Sequence, residues 1–189
     1  MSAAKAMAKN DGSETNETVL WNVFANVFGE EARKEKGEFD GYYAEGFKVT
    51  REACGQDPRV PDIVRSLRER GCRVVLATNP MFPMHAMVMR IGWAGLEPSD
   101  FDLITSYEDF RHAKPNPDYY LEIAERIGIP PEECVMVGND ADEDLSASSV
   151  GMDVFLLTDC LVNRSGTDLS DVPKGDLDDL RTYLDEMTP

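Results

Sequence analysis

The chain has 189 residues, 42% of them hydrophobic, a size and composition typical of one soluble domain with room for a small subdomain. Nineteen Lys and Arg against 36 Asp and Glu give a formal charge of -17, which disfavours binding to nucleic acid or to anionic lipid. The sequence shows neither the apolar core of a signal peptide nor a run long enough to span a bilayer. We therefore expect a cytoplasmic protein that has no nucleic-acid or membrane partner.

The first 57 residues have a helical pattern. The stretch "NETVLWNVFANVFG" predicts a helix that begins at Asn16 and can close at Gly29. Its apolar side chains recur on one stripe, formed by Leu20, Val23, Phe24, Val27 and Phe28. The stretch "FDGYYAEGFKVTREACG" predicts a second, aromatic-rich helix or helix pair. The Pro-bearing linker "QDPRVPD" follows, and the pattern then changes.

After the linker, helix-sized and strand-sized segments alternate. The apolar runs "CRVVLAT", "FDLITS", "CVMVG" and "DVFLLT" predict strands, and the stretches between them predict helices, one with Asn116 as N-cap and Pro117 in its first turn. Strands that are apolar on both faces predict a parallel sheet covered by helices. The polar loop "NRSGTDLSDVPKG" and the helix "DLDDLRTYLDEM" close the chain. The predicted organisation is a helical region over residues 1–57 and an α/β region over residues 58–189.

The four cysteines do not suggest a metal site. They form no Cys-x-x-Cys pair, and the only histidines are His85 and His112, which are far apart in the sequence. This pattern predicts buried, reduced thiols, and it argues against zinc.

Polar side chains follow each predicted strand, at the sheet edge where open α/β sheets bind ligands. They are Thr78 and Asn79, Ser106, Asn139 and Asp140, and Thr158 and Asp159, and the loop "HAKPNP" adds Lys114. This set suits phosphoryl transfer, because hydroxyl and backbone N–H groups donate to phosphoryl oxygens, Lys neutralises charge, and carboxylates hold Mg²⁺. A nucleophile is missing from the set.

Three stretches carry a resemblance to a known family. In this order, "VVLATN", "KPNPDYY" and "VMVGNDADEDLSA" resemble the second, third and fourth motifs of the haloacid dehalogenase (HAD) superfamily, mostly Mg²⁺-dependent phosphatases with a Rossmann-like core. The preceding helices resemble part of the helical cap that such enzymes insert after their first motif. The resemblance implies that Thr78 and Asn79 bind the phosphoryl group of a small phosphorylated metabolite, that Lys114 steadies nucleophile and phosphate, and that the acids of the fourth motif bind Mg²⁺.

The fourth motif departs from the family pattern. The family usually has Gly-Asp at the strand end, whereas Asn139 occupies that position here and Asp140 follows. Either Asn139 offers Mg²⁺ its amide oxygen, or Asp140 is the ligand and Asp144, one helical turn on, positions a metal-bound water. We expect Asp142 and Glu143 to face solvent near the positive end of a short helix.

The first motif of the family has no counterpart in this sequence. That motif, a strand ending in Asp-x-Asp-Gly-Thr, supplies the nucleophile and the general acid/base. The stretch "DFDLIT" has Asp100 and Asp102 before its apolar run, so we interpret it as the entrance of a strand. In the family the first strand lies between the strands that resemble "CRVVLAT" and "CVMVG", so its absence leaves each with an unpaired inner edge. We expect an N-terminally truncated HAD core that lacks its first strand, carries a partial helical cap and is inactive alone.

Two other function classes fit parts of this pattern. A non-catalytic interaction or regulatory protein built on a degraded HAD core would make Thr78, Lys114 and Asp140 dispensable. A phospho-accepting receiver domain uses a similar set of residue types, but its acids precede the Thr and Lys along the chain. The order of the motifs here favours the phosphatase.

Overall fold

The structure is a computed structural model, and it describes residues 2–187. By its internal contacts the chain divides into two compact units, residues 1–113 and residues 114–189. This division falls inside the region that the sequence assigns to one α/β core, and the predicted boundary after Asp57 stays a prediction. No helix within residues 2–187 has the length and apolar character needed to cross a membrane.

Helices make up most of the regular structure in residues 2–187. The α-helices are α1 (Ala3–Met7), α2 (Asn16–Phe28), α3 (Lys36–Ala44), α4 (Arg59–Glu69), α5 (Met84–Trp93), α6 (Pro117–Ile127), α7 (Ala141–Asp144) and α8 (Leu177–Met187). Short 3₁₀ helices cover Glu30–Glu35, Gly46–Ala53, Pro98–Asp100, Pro131–Glu133 and Leu145–Val150. The helices predicted from the sequence are present, and the structure of the first 57 residues is helical.

Helix α2 buries only part of the predicted stripe, and Phe24 packs against the same core as Leu20. Leu20 is buried as predicted, but its buried neighbour is Trp21. Val27 and Phe28 are 64% and 74% exposed. The reason is that Tyr107 belongs to the small core against which the helix packs, and this core meets the side of α2 that carries Leu20 and Trp21.

The strands form two parallel sheets, one in each unit. In the first unit β1 (Val75–Leu76) pairs with β2 (Leu103–Ile104). In the second unit β3 (Val135–Gly138), β4 (Asp153–Leu157) and β5 (Lys174–Gly175) pair in the order β3-β4-β5, all parallel. Parallel strands joined through helices are what the predicted α/β class requires.

Strand β5 corrects the sequence prediction. The pattern of "NRSGTDLSDVPKG" predicts a polar loop, yet its last residues extend the sheet beyond β4. The backbone N–H of Leu156 donates to the carbonyl of Pro173 at 2.9 Å, and that of Thr158 donates to Gly175 at 2.9 Å. A strand of two residues has too little alternation to be recognised by its pattern.

Strands β1 and β3 each have one edge without a neighbouring strand. Within residues 2–187, β1 pairs with β2 alone and β3 pairs with β4 alone. These are the two strands that correspond to "CRVVLAT" and "CVMVG". The absence of a first strand beside them stays a prediction.

The four cysteines are free thiols. Cys54 and Cys160 are exposed, whereas Cys72 and Cys134 are half-buried, so the prediction that all are buried is wrong. Burial raises the pKa of the Cys134 thiol, with the nearby Glu133 carboxylate adding to the shift. Cys54 and Cys160 lie in loops, where their side chains have no hydrophobic core to pack against.

Candidate functional site

Thr78 lies two residues beyond β1, at the carboxyl end of the strand. Its hydroxyl oxygen is 3.4 Å from Oγ1 of Thr105 and 3.3 Å from Sδ of Met87. Thr105 directly follows β2 and is fully buried, and its hydroxyl lies 2.8 Å from the carbonyl oxygen of Thr78. The ends of two adjacent parallel strands therefore meet around Thr78, at the edge where the sequence predicts phosphoryl binding.

Asn79 and Ser106 continue the chain beyond these two strands. The backbone N–H of Met81 donates to the carbonyl of Asn79 at 2.8 Å, which closes a turn directly after Thr78. Ser106 is fully buried, and its hydroxyl has no hydrogen-bond partner among residues 2–187. Asn79 therefore belongs to this turn. Within the described residues, no group binds the hydroxyl of Ser106.

Asp102 lies at the other end of β2, at the entrance of the strand. It accepts hydrogen bonds from the backbone N–H of Val74 at 2.9 Å, from Arg68 at 3.0 Å and from Arg73 at 3.1 Å. The bond from Val74 does most to lower the pKa of the Asp102 carboxyl. These contacts tie the starts of β1 and β2 together and agree with a structural interpretation of Asp102.

Lys114 and Asp144 form a buried ion pair in the second unit. Nζ of Lys114 lies 2.7 Å from Oδ1 of Asp144, and their side chains are 6% and 5% exposed. The ammonium also lies 5.8 Å from the ring centroid of Tyr119 and 6.0 Å from that of Tyr120. Aromatic faces at this distance attract a cation and add to its stabilisation. The predicted catalytic lysine is therefore held in a fixed, desolvated position.

Asp144 also holds the loop that follows β3. Its Oδ2 accepts hydrogen bonds from the backbone N–H of Asn139 at 3.0 Å and from that of Asp140 at 2.9 Å. Both oxygens of this carboxylate are thus engaged by the protein. One buried acid fixes both the lysine and the backbone of the fourth motif, and its predicted role in positioning a metal-bound water stays a prediction.

Gly138 makes this close approach possible. A Cβ atom at Gly138 would overlap the side chain of Asp144, which cannot swing away while it binds Lys114. We expect Gly138→Ala to destabilise the protein by about 1–3 kcal/mol, the usual cost of overpacking a filled site. Urea denaturation measures this change.

The matched control is Gly92→Ala in α5, where nothing lies within 4 Å of the added Cβ. There alanine should stabilise the helix by roughly 0.5–1 kcal/mol. Equal effects of the two substitutions would show that the contact between Gly138 and Asp144 carries no strain.

Asp140 and Asn139 are the residues from which a cation can draw ligands. Asp140 is the N-cap of α7, where its Oδ1 accepts the N–H of Asp142 at 3.0 Å, and its Oδ2 accepts a hydrogen bond from Arg164 at 3.1 Å. Asn139 is exposed, and its Nδ2 donates to the carbonyl of Cys160 at 2.7 Å. This hydrogen bond uses the amide nitrogen of Asn139, so the amide oxygen is the atom that can bind a cation.

These two residues fit Mg²⁺ as part of a ligand set. Among residues 2–187 no three His, Cys, Asp or Glu side chains form a group that could hold a metal ion. Mg²⁺ keeps several waters and commonly takes one or two protein carboxylates together with a substrate phosphate. The carboxylate of Asp140 and the amide of Asn139 suit that chemistry, and further oxygens must come from water, substrate or another segment.

Asp142 anchors a loop at the protein surface. Its oxygens accept the backbone N–H groups of Arg164 at 2.8 Å and Ser165 at 3.1 Å. Hydrogen bonds from Ser165, and then from Arg164, hold the pKa of the Asp142 carboxyl below its usual range. No local pattern indicates this tether, because its partners lie 22 and 23 residues further along the chain.

Acid should release this loop. The folded pKa of Asp142 lies below the unfolded value, so the tether is complete above the usual carboxyl pKa of about 3.9 and is lost as the pH falls through the lower folded value. The amide NMR shifts of Arg164 and Ser165 should report this transition, and Asp142→Asn should abolish it. A midpoint above about 3.9 for these amides would contradict the tether.

Comparison with known proteins identifies the family. A family model of haloacid dehalogenase-like hydrolases matches residues 13–150. The chain belongs to this family. The predicted membership, and with it the prediction of a HAD-type hydrolase, is confirmed.

Relatives and solved structures agree with this assignment. Phosphoglycolate phosphatase of Escherichia coli (strain K12) is 31% identical over 126 residues, which are 65% of this chain and 46% of that protein. An uncharacterized hydrolase of Saccharomyces cerevisiae is 38% identical over 101 residues, 53% of this chain and 45% of that protein. The chain therefore spans about half the length of these curated relatives.

The fold of this HAD-like hydrolase also matches solved structures. A predicted phosphoglycolate phosphatase from Haemophilus somnus superposes with a TM-score of 0.61 at 17% identity, covering 96% of this chain and 80% of that one. At this identity the likeness shows the fold alone. The predicted α/β fold with a Rossmann-like parallel sheet is confirmed.

The structure connects four of the predicted residues through the carboxylate of Asp144, which binds the side chain of Lys114 and the backbone N–H groups of Asn139 and Asp140. Thr78 and Asn79 belong to the other unit, in which Thr78 is linked to Thr105. The catalytic and metal-binding roles that the resemblance assigns to these residues stay predictions.

Three further residues hold these segments of the chain and were not among the predicted site residues. Asn16 was interpreted only as the start of a helix, but it is fully buried and donates to the carbonyls of Pro80 and His112 at 3.2 Å each. Arg164 lies in a loop without a recognisable pattern. Thr105 had a usable signal, since it ends "FDLIT" as Thr78 ends "VVLAT".

Proposed function

We propose that the chain carries the phosphate- and metal-binding motifs of a Mg²⁺-dependent phosphatase, which acts on a small phosphomonoester through an aspartyl-phosphate. The observation that carries this proposal is the buried pair of Lys114 and Asp144, which holds the loop bearing Asp140. A desolvated ammonium has little structural advantage over an apolar side chain, so its presence favours a chemical role. One of the relatives, from Escherichia coli, is a phosphoglycolate phosphatase, which supports phosphoglycolate as a first substrate to assay.

Each residue has a role in this proposal. The hydroxyl of Thr78 and the backbone around Asn79 donate hydrogen bonds to phosphoryl oxygens, and Lys114 neutralises charge on the attacking carboxylate and the phosphate. Asp140 and Asn139 hold Mg²⁺, which supplies positive charge against the phosphoryl oxygens. Asp144 orients both Lys114 and the metal-binding loop.

We propose that the nucleophile comes from a strand outside these 189 residues. Two observations support this. The sequence contains no apolar run followed by Asp-x-Asp-Gly-Thr, and the described β1 and β3 each have one edge without a neighbouring strand. An unpaired strand edge accepts a further strand readily.

One observation favours a second candidate, a non-catalytic interaction or regulatory protein. The carboxylates of Asp140, Asp142 and Asp144 all accept hydrogen bonds from the protein itself. Such a loop is stable without a cation, as a degraded active site would be.

Phosphate release separates the two candidates. The test compares the 189-residue chain with a strand-fused protein, in which an apolar strand ending in Asp-x-Asp-Gly-Thr is joined ahead of Ser2 through a flexible Gly/Ser linker. Both are incubated with phosphoglycolate and other small phosphomonoesters, with and without Mg²⁺.

We expect Mg²⁺-dependent release from the strand-fused protein and none from the chain alone. The release should disappear when the first Asp of the fused strand is changed to Asn. Release by the chain alone would overturn the external nucleophile, and no release by either protein would favour the non-catalytic candidate.

A further inference from the structure

The hydroxyl of Thr105 contacts both the carbonyl and the hydroxyl of Thr78. Thr105 is fully buried, and its Oγ1 lies 2.8 Å from the carbonyl oxygen of Thr78, 3.1 Å from that of Leu76 and 3.4 Å from Oγ1 of Thr78. A hydroxyl has one hydrogen to donate and two lone pairs with which to accept. The shortest contact makes the Thr78 carbonyl its acceptor, and the lone pairs of Thr105 then face the Thr78 hydroxyl.

The parallel ladder fixes this geometry. Leu76 pairs with Ile104 in the register of β1 and β2, and the backbone N–H of Thr105 donates to the carbonyl of Leu76 at 3.1 Å. The side chain of Thr105 is thus held by the sheet in a site without water. Valine has nearly the same shape, so packing alone does not explain a hydroxyl here, where an unsatisfied one would be costly.

We propose that Thr105 is a positioning residue that sets the Thr78 hydroxyl and the peptide group between Thr78 and Asn79 for binding a phosphoryl group. This inference rests on the proposed function, which assigns phosphoryl binding to Thr78. A trans peptide group is planar with its C=O and N–H pointing in opposite directions, so holding the carbonyl of Thr78 towards Thr105 makes the Asn79 N–H point away from Thr105 within the same plane.

The contact between the hydroxyls of Thr78 and Thr105 is long, which suits a Thr78 hydroxyl that binds a phosphoryl oxygen when substrate is present. At 3.4 Å it is longer than a normal O–H···O hydrogen bond, whose usual length is about 2.7–2.8 Å. A phosphoryl oxygen offers a shorter, charge-assisted bond. A phosphoryl oxygen can therefore replace Thr105 and Sδ of Met87, 3.3 Å away, as the partner of the Thr78 hydroxyl, while the Thr78 carbonyl stays fixed.

Three variants separate this role from simple stability. Thr105→Val removes the hydroxyl and keeps the shape, and Thr105→Ser keeps the hydroxyl. Thr50→Val is the matched control, because the hydroxyl of Thr50 also donates to a backbone carbonyl, that of Phe47 at 2.7 Å, in the 3₁₀ helix Gly46–Ala53. Thermal unfolding shows whether each variant stays folded.

The experiment titrates the 189-residue chain with inorganic phosphate and follows the backbone amides of Thr78 and Asn79 by NMR. Thr105→Val should weaken the phosphate affinity at these amides roughly fivefold, the factor that one hydrogen bond provides. Thr105→Ser and Thr50→Val should stay within about twofold of the parent.

Three results would overturn the inference: no response of these amides to phosphate, parent-like affinity in Thr105→Val, or a loss in Thr105→Ser as large as in Thr105→Val. Failure of the proposed function is seen separately, as an absence of phosphate release by the strand-fused protein. Phosphate binding that depends on Thr105 without turnover would support the positioning role and overturn only the phosphatase.

Discussion

Replacing Asp144 with alanine is expected to lower the free energy of unfolding of the second unit by about 3–5 kcal/mol. The substitution leaves the Lys114 ammonium buried without its partner, and it removes the acceptor for the N–H groups of Asn139 and Asp140. A buried charge without a counter-ion is among the most costly defects in a folded protein. Urea denaturation, with hydrogen exchange of the β3 and β4 amides, measures the loss.

An exposed ion pair provides the control. Asp62 binds Arg65 at 2.9 Å, but both side chains are at least 60% exposed, so Asp62→Ala should change stability by about 1 kcal/mol or less. The double variant Lys114→Met with Asp144→Asn should lose less than the sum of the two single variants, because it leaves no unpaired charge. A change below about 1 kcal/mol for Asp144→Ala would contradict the structural role of this acid.

Replacing Thr78 with valine is expected to lower kcat of the strand-fused protein about 100-fold. The substitution removes one hydrogen-bond donor to the phosphoryl group while keeping the shape of the side chain. Its effect on stability should be about 1 kcal/mol, the net contribution of one hydrogen bond, because the hydroxyl donates to Sδ of Met87 at 3.3 Å. Steady-state kinetics with phosphoglycolate, together with thermal unfolding, separate activity from folding.

Thr158 is the matched control for Thr78. It also directly follows a strand, β4, but it is exposed and the resemblance assigns it no role. Thr158→Val should leave kcat within about twofold of the parent. Equal losses in the two variants would mean that the hydroxyl of Thr78 has no special part in the reaction.

Local signals in the sequence predicted local structure well. Asn116 caps α6 through the N–H of Asp118, and Pro117 occupies the first turn, as the sequence "NPDYY" indicates. Such features depend on a few neighbouring residues and on their own hydrogen bonds. The order of helices and strands followed from the same kind of pattern.

Features that depend on distant partners could not be predicted. The buried face of α2 is set by Tyr107, and the tether of Asp142 is set by Arg164 and Ser165. No periodicity within α2 or α7 contains that information. The candidate site shows the same limit, because the residue types of Lys114 and Asp144 were visible, but their direct pairing was not.

The proposed phosphatase needs a nucleophile from a strand outside these 189 residues. The most direct test is to quench the strand-fused protein during turnover and to locate the phosphoryl group by peptide mass spectrometry. We expect phosphorylation of the first aspartate of the fused strand. A phosphoryl group on a residue of the chain itself, such as Asp140 or Asp102, would contradict it.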